Sequence, residues 1–135
     1  MIKLTLPVYY TQEFKTKKSK TFLVGMNWYR NAFFHAQNTV KQHYHSLITN
    51  QLPSDKTYSE YQVTYTYYYK SKVSDLMNVV SLQSKFLNDA LQSAGIVIND
   101  NVQYCKREIA VVGSQDKLNP RTEITIEEYT CANSS

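Results

Sequence analysis

Three aspartates of this chain stand where a carboxylate could do chemistry. Asp75 lies between a segment with strand character and one with helical periodicity, Asp89 lies within that helical segment, and Asp100 follows it. A carboxylate at a strand-to-helix junction, flanked by Lys70 and Lys72, suits a Mg²⁺ site beside a phosphodiester. Mg²⁺ prefers hard oxygen ligands, and the two cations would hold the phosphate.

Each of these aspartates also has an ordinary structural explanation. Asp75 is well placed as the N-cap of the following helix, because the free backbone N–H groups and the helix dipole favour a carboxylate there. Asp89 would be a solvated helix residue, and Asp100 would belong to a turn. The residue types by themselves favour this structural interpretation over a metal site.

Other common kinds of site find little support. His43 and His45 are two residues apart on a predicted helix, so their rings point to different faces and do not converge on zinc. Cys105 lies within a predicted strand without an activating signature for a nucleophile. A chain with 3 glycines has no glycine-rich phosphate loop.

The charge of the chain suits a polyanionic partner without requiring one. The formal net charge is +4, and the sequence pI is about 9.0. One short segment holds four lysines: Lys15, Lys17, Lys18 and Lys20. Such a segment is found at sites that contact phosphates and also in solvated loops. Charge alone favours the solvated loop.

Length and composition indicate one globular domain over residues 1–135. Hydrophobic residues make up 42% and charged residues 19%, which argues against disorder. The apolar runs fall far short of the ~20 residues of a membrane span, so no membrane partner is expected. The amino terminus is expected to form a strand rather than a signal peptide. Cys105 and Cys131 are therefore expected to be free thiols.

The apolar periodicity predicts six elements in the order β-α-β-α-β-β. They are a strand at about Lys3–Leu6, a helix at Met26–Thr49 after a long lysine-bearing loop, a strand at Tyr61–Tyr69, a helix from Ser74 or Asp75 to Ala94, and strands at Gln103–Val112 and Thr122–Tyr129. The helical spacing of its apolar residues predicts that the first helix has an apolar stripe, which includes Tyr29, Phe33 and Val40. The second helix should end at Gly95.

The topology predicted from this order is an α+β domain with a small mixed sheet and two helices. The strand–helix–strand unit through the second helix favours a parallel crossover. The last two strands, joined through Gly113–Arg121, are expected to pair as an antiparallel hairpin.

The segment from Lys70 to Val102 resembles the RusA family of phage and prophage Holliday-junction resolvases. The family pattern has a basic approach, Asp-x-Asp-Asn opening a helix, Lys-x-x-x-Asp-Ala-Leu, a glycine near the helix end and an Asp-Asp turn. Asp75 and Asn78 match the first and last positions of the opening motif. The matches to the second segment are Lys85, Asp89, Ala90 and Leu91. Asp100 falls where the family has its third catalytic aspartate.

The resemblance implies a RusA-like fold and a homodimer that hydrolyses branched DNA with Mg²⁺ or Mn²⁺, in recombination and repair in the cytoplasm of a bacterial host cell. No small-molecule cofactor is implied. Asp75 and Asp100 would be catalytic metal ligands, with Asp89 as a further candidate ligand, and Lys85 would neutralise charge at the scissile phosphate. The residues expected to contact DNA are Asn78, Lys70, Lys72 and the lysines at positions 15, 17, 18 and 20.

The sequence departs from the family pattern at two points. Met77 stands where the family has its second catalytic aspartate, and the interval from Asn78 to Asp89 is one helical turn longer than usual. A thioether is a poor ligand for Mg²⁺. Either Asp89 or Glu108 replaces the lost carboxylate, or the chain is a catalytically degenerate DNA- or protein-binding module.

The distance between Asp75 and Asp100 poses a further question. A helix of roughly twenty residues is about 30 Å long, so the two carboxylates should lie at its opposite ends. They could share a metal only if the helix breaks near Ser81–Ser84, or if a dimer brings Asp100 of one chain beside Asp75 of the other. The absence of a strong helix breaker in this segment favours the dimer.

Overall fold

The computed structural model of the protein describes residues 1–130, so Cys131 lies outside the described residues. The strands are β1 (Ile2–Pro7), β2 (Tyr9–Gln12), β3 (Lys20–Leu23), β4 (Tyr61–Tyr69), β5 (Cys105–Gln115) and β6 (Arg121–Glu128). The helices are α1 (Met26–Asn31), α2 (Phe34–Thr49) and α3 (Leu76–Ser93). The fold is a small mixed α+β domain, as predicted.

The main sheet has the strand order β1-β6-β4-β5. β4 and β5 are parallel and joined through α3, which confirms the predicted crossover. The predicted hairpin between the last two strands is wrong, because β6 pairs with β1 and β4 instead. Burial explains this arrangement. Ile124 and Ile126 of β6 are fully buried between two neighbouring strands, whereas most of β5 is exposed and lies at the sheet edge.

The predicted helix Met26–Thr49 is two helices. The chain is extended at Ala32 (φ −81°, ψ 149°) and at Phe33 (φ −64°, ψ 151°), so α1 ends there and α2 begins. Residues 26–49 contain no glycine or proline from which the break could be predicted. Phe33, which the helical stripe placed in the core, is 87% exposed. Farther along, Val40 is buried as predicted.

The lysine-bearing loop is a β-hairpin rather than an irregular connection. β2 and β3 pair antiparallel, with Tyr9 opposite Leu23 and Gln12 opposite Lys20, and residues 13–19 form the turn. Strands of 4 residues are too short to show a reliable alternation in sequence. We call residues 9–23 the lysine hairpin.

The second predicted helix is confirmed as α3. Asp75 is its N-cap, and Gly95 follows its end with a φ of 76°, a conformation that glycine adopts without strain. Its apolar side chains pack with those of β4 in the main core, where Tyr65 and Phe86 are buried. Within residues 1–130, no helix is both long and apolar enough to cross a membrane.

Candidate functional site

Asp75 lies at the amino end of α3, directly after the loop that leaves β4. Its carboxylate is exposed, and Oδ1 accepts the backbone N–H of Met77 at 3.1 Å. A cavity of about 260 Å³ adjoins it, lined by Met26, Asn27, Arg30, Asp75, Met77, Asn78 and Ser81. The cavity thus has one carboxylate, two thioethers and a guanidinium.

Asn78 holds two helices together. Its Oδ1 accepts the backbone N–H of Asn27 at 2.8 Å. The N-cap of α1 is Gly25, which has no side chain for this purpose, so Asn78 supplies the missing cap from α3. The resemblance gave Asn78 a contact with DNA, and the contacts in the structure give it a structural role.

We predict that Gly25→Ala destabilises the fold by about 1–3 kcal/mol, the usual cost of overpacking a tight site. A Cβ atom at Gly25 would lie 2.5 Å from Nδ2 of Asn78. Chemical denaturation of a double-mutant cycle tests this reason. In an Asn78→Ala background the same substitution should cost much less, because the clashing side chain is gone. Equal costs in both backgrounds would contradict the assigned clash.

Asp100 lies at the other end of the sheet from Asp75. The carbonyl of the next residue, Asn101, accepts the backbone N–H of Cys105, which pairs with Tyr61 at the start of β4. Asp75 follows the end of β4. Between the two aspartates α3 runs unbroken for 18 residues, or about 27 Å at 1.5 Å per residue. The alternative of a helix break near Ser81–Ser84 is therefore wrong. The favoured alternative, a site shared between two chains, stays a prediction.

Glu108 is the candidate acid that faces Met77. Its Oε2 accepts hydrogen bonds from Tyr65 Oη and Ser84 Oγ, both at 2.6 Å, and its Oε1 accepts one from Asn88 Nδ2 at 3.3 Å. Glu108 and Met77 line the same cavity of about 320 Å³ between α3 and the sheet. From the sequence, Glu108 was a candidate replacement acid with no known partners. The structure adds the polar network around it.

Asp89 and Lys85 project toward the other helices. Asp89 Oδ2 lies 4.0 Å from Lys41 Nζ of α2, and Lys85 Nζ lies 5.5 Å from the ring centre of Tyr29 in α1. Lys85 is also ten residues beyond Asp75, about 15 Å along the helix axis. The geometry therefore favours Glu108 over Asp89 as a replacement acid, and it does not bring Lys85 beside Asp75.

Cys105 lies beside the Glu108 network, with its Sγ 3.8 Å from Glu108 Oε1. Burial, and then the negative charge of Glu108, raise the pKa of the Cys105 thiol to about 11. Burial likewise raises the pKa of Tyr65 well above its ordinary value. At neutral pH Cys105 is therefore a protonated thiol, which is a poor nucleophile and a poor metal ligand.

We predict that the alkylation rate of Cys105 rises with pH to a midpoint near 11. At pH 8 the reaction should be on the order of a hundredfold slower than that of free cysteine, whose pKa is about 8.5. The measurement uses a Cys131→Ser variant with iodoacetamide, so that one thiol reacts. Glu108→Gln should lower the midpoint, because it removes the neighbouring negative charge. A midpoint near that of free cysteine would contradict the assigned environment.

The cavity beside Asp75 offers little to a Mg²⁺ ion. Within the described part of the chain, no three His, Cys, Asp or Glu residues come together as metal ligands. Asp75 is the single carboxylate of its cavity, and it shares that cavity with Arg30 and the thioether of Met77. Mg²⁺ is commonly held by one or two carboxylates together with waters and substrate phosphates. Asp75 alone supplies the minimum of this set, and the guanidinium of Arg30 disfavours a further cation beside it.

The predicted DNA-contacting lysines lie on the surface. Lys15, Lys17 and Lys18 are exposed in the turn of the lysine hairpin, and Lys20 is exposed at the start of β3. Lys70 approaches the base of this hairpin, with its Nζ 5.5 Å from the ring centre of Tyr9. Lys72 is exposed beside a separate cavity that Tyr67 and Val112 also line.

No protein-family model matches the sequence, and no curated protein matches it significantly. The RusA resemblance therefore rests on the residues of segment 70–102 and on the order of the elements. Of the implied metal ligands, Asp75 occupies the amino end of α3 and Asp100 follows the helix. Met77, which replaces the family's second aspartate, lines both the cavity of Asp75 and that of Glu108.

Proposed function

We propose that this protein is a RusA-like module that binds branched DNA and has lost the nuclease chemistry of that family. The observation that carries the proposal is the lysine hairpin, which presents its four lysines at an exposed turn and strand end. Exposed lysines grouped on one hairpin can follow a phosphate backbone without reading its sequence. Such a protein would act with DNA in the cytoplasm of a bacterial host cell, in recombination or repair.

Position 77 supports the loss of catalysis. The family pattern has a carboxylate there, whereas this chain has Met77, which is 53% exposed and lines the same cavity as Asp75. A thioether contributes no oxygen ligand to Mg²⁺. Glu108 lies on the same side of α3, but its oxygens already accept four hydrogen bonds from neighbouring side chains. This supports binding without cleavage.

A competition experiment tests the binding half of this proposal. A labelled four-way junction is bound to the protein, and unlabelled junction or linear duplex of the same arm sequence is added. We expect the junction to compete at least tenfold better than the duplex, because a branched structure offers several backbones to a two-chain protein. Equal competition would show that the protein recognises DNA charge alone.

A second candidate is a Mg²⁺-dependent endonuclease with its active site shared between two chains. One observation favours it. Asp75 and Asp100 are both exposed and lie beyond opposite ends of one unbroken helix. In a two-fold dimer with antiparallel α3 helices, each Asp75 could lie beside Asp100 of the partner subunit. The two carboxylates would then hold the metal, which would activate water for hydrolysis of the phosphodiester.

Subunit mixing tests this candidate. If wild-type protein cuts junctions, Asp75→Asn and Asp100→Asn should each abolish cutting and leave DNA binding intact. A mixture of the two variants should regain single-strand nicking, because one of the two sites in each heterodimer has both aspartates. An inactive mixture in which heterodimers are shown to form would contradict the shared site.

A further inference from the structure

The break between α1 and α2 presents two large aromatic rings to solvent. Phe33 is 87% exposed and Phe34 is 69% exposed. The two residues differ in their surroundings. Phe33 lines a cavity of about 510 Å³ at the side of the lysine hairpin, whereas Phe34 lies next to the ring of His35 in α2. Because Phe33 lines this cavity and is largely exposed, its ring is available to contact a ligand there.

The walls of this cavity combine aromatic, amide and cationic side chains. Its full lining is Gln12, Lys20, Asn27, Trp28, Asn31, Ala32, Phe33 and Ala36. The indole ring of Trp28 stacks on the ring of Phe22 with centroids 4.8 Å apart, which fixes its position in the cavity wall. No carboxylate lines the cavity, and Lys20 connects it to the other lysines of the hairpin. The volume lies within the ~300–1,000 Å³ of ordinary ligand pockets.

We propose that this cavity binds an unpaired nucleobase of DNA, and we call it the base pocket. Phe33 and Trp28 provide aromatic surface on which a base can stack, the side-chain amides can hydrogen-bond to its edge, and Lys20 contacts the adjoining phosphate. An acidic peptide would use the lysines but would gain little from the aromatic walls. The proposal deepens the DNA-binding proposal and rests on it, because base pairs at the branch point lose stacking and so release a base at lower cost.

Trp28 provides a direct readout, because it is the one tryptophan of the chain. Titration with an oligothymidylate of about ten nucleotides, within the site sizes of single-strand binders, should quench the Trp28 fluorescence as a base stacks in the pocket. Phe33→Leu should weaken this binding about tenfold and reduce the quenching. Phe34→Leu is the matched control and should change neither, since it removes an adjacent exposed ring outside the cavity.

The outcomes separate the base pocket from the wider proposal. Equal effects of the two substitutions, or binding without quenching, would overturn the base pocket. If the wild-type protein binds four-way junctions but not the oligothymidylate, the base pocket is wrong and the DNA-binding proposal survives. If it binds neither DNA, both are wrong. Quenching by polyglutamate with the same dependence on Phe33 would assign the cavity to an acidic peptide.

Discussion

Replacing the four lysines of the lysine hairpin with glutamine is expected to weaken DNA binding about equally on every sequence. Each lysine that neutralises a phosphate releases a counterion, so the slope of log affinity against log salt falls by about 0.9 per lost contact on duplex DNA. Four contacts give a change of up to about four. The measurement is the affinity for one junction at several salt concentrations.

A matched variant separates local contact from total charge. The hairpin variant lowers the formal net charge from +4 to 0, since each glutamine removes one positive charge. The control removes four lysines elsewhere on the surface: Lys41, Lys56, Lys106 and Lys117. It has the same net charge, and its salt slope should stay near that of the wild type. If both variants lower the slope equally, or if neither does, the hairpin is an ordinary solvated turn.

Met77→Asp is expected to give the protein a Mg²⁺-dependent nicking activity that its parent lacks. Met77 lines the cavity that contains Asp75 and also the cavity that contains Glu108, so a carboxylate at position 77 would stand between two acids already present. The substitution should not harm the fold. The side chain is exposed, and an acidic residue in the first turn of a helix is favourable to its dipole.

The gain is measured on a labelled four-way junction with Mg²⁺, resolved under denaturing conditions. Met77→Asn is the control, because asparagine has the shape of aspartate without its charge. This variant should stay inactive. Replacing Asp75 with asparagine in the Met77→Asp protein should abolish the gain. If Met77→Asp binds the junction as the wild type does and leaves it uncut, position 77 is not the missing ligand.

The helices and strands could be predicted from sequence where the pattern of apolar residues extends over many positions. The alternation from Tyr61 to Tyr69 gave β4 with its observed bounds, and the periodicity after Asp75 gave α3 with its cap. Both patterns extend over many residues with strong apolar contrast, so tertiary packing had little to change. The short strands of the lysine hairpin and the break at Ala32 had no comparable signal.

Strand pairing and the candidate site needed three-dimensional information. β6 lies between β1 and β4, where its apolar side chains are buried. Its closeness to β5 in the sequence predicted a pairing with β5 instead. Glu108 is distant in sequence from its partners Tyr65 and Ser84, so its network could not be read from spacing. Asp75 could be located from sequence, because a cap depends on local backbone geometry alone.

The most direct test of the central claim uses wild-type protein, one labelled four-way junction and unlabelled linear duplex as competitor, in Mg²⁺ at low salt. Binding is read on a native gel, and the integrity of the strands is read on a denaturing gel from the same sample. We predict that the junction is bound in preference to linear duplex and that its strands stay intact. Cut strands would contradict the loss of catalysis, and a junction left unbound would contradict the DNA-binding proposal itself.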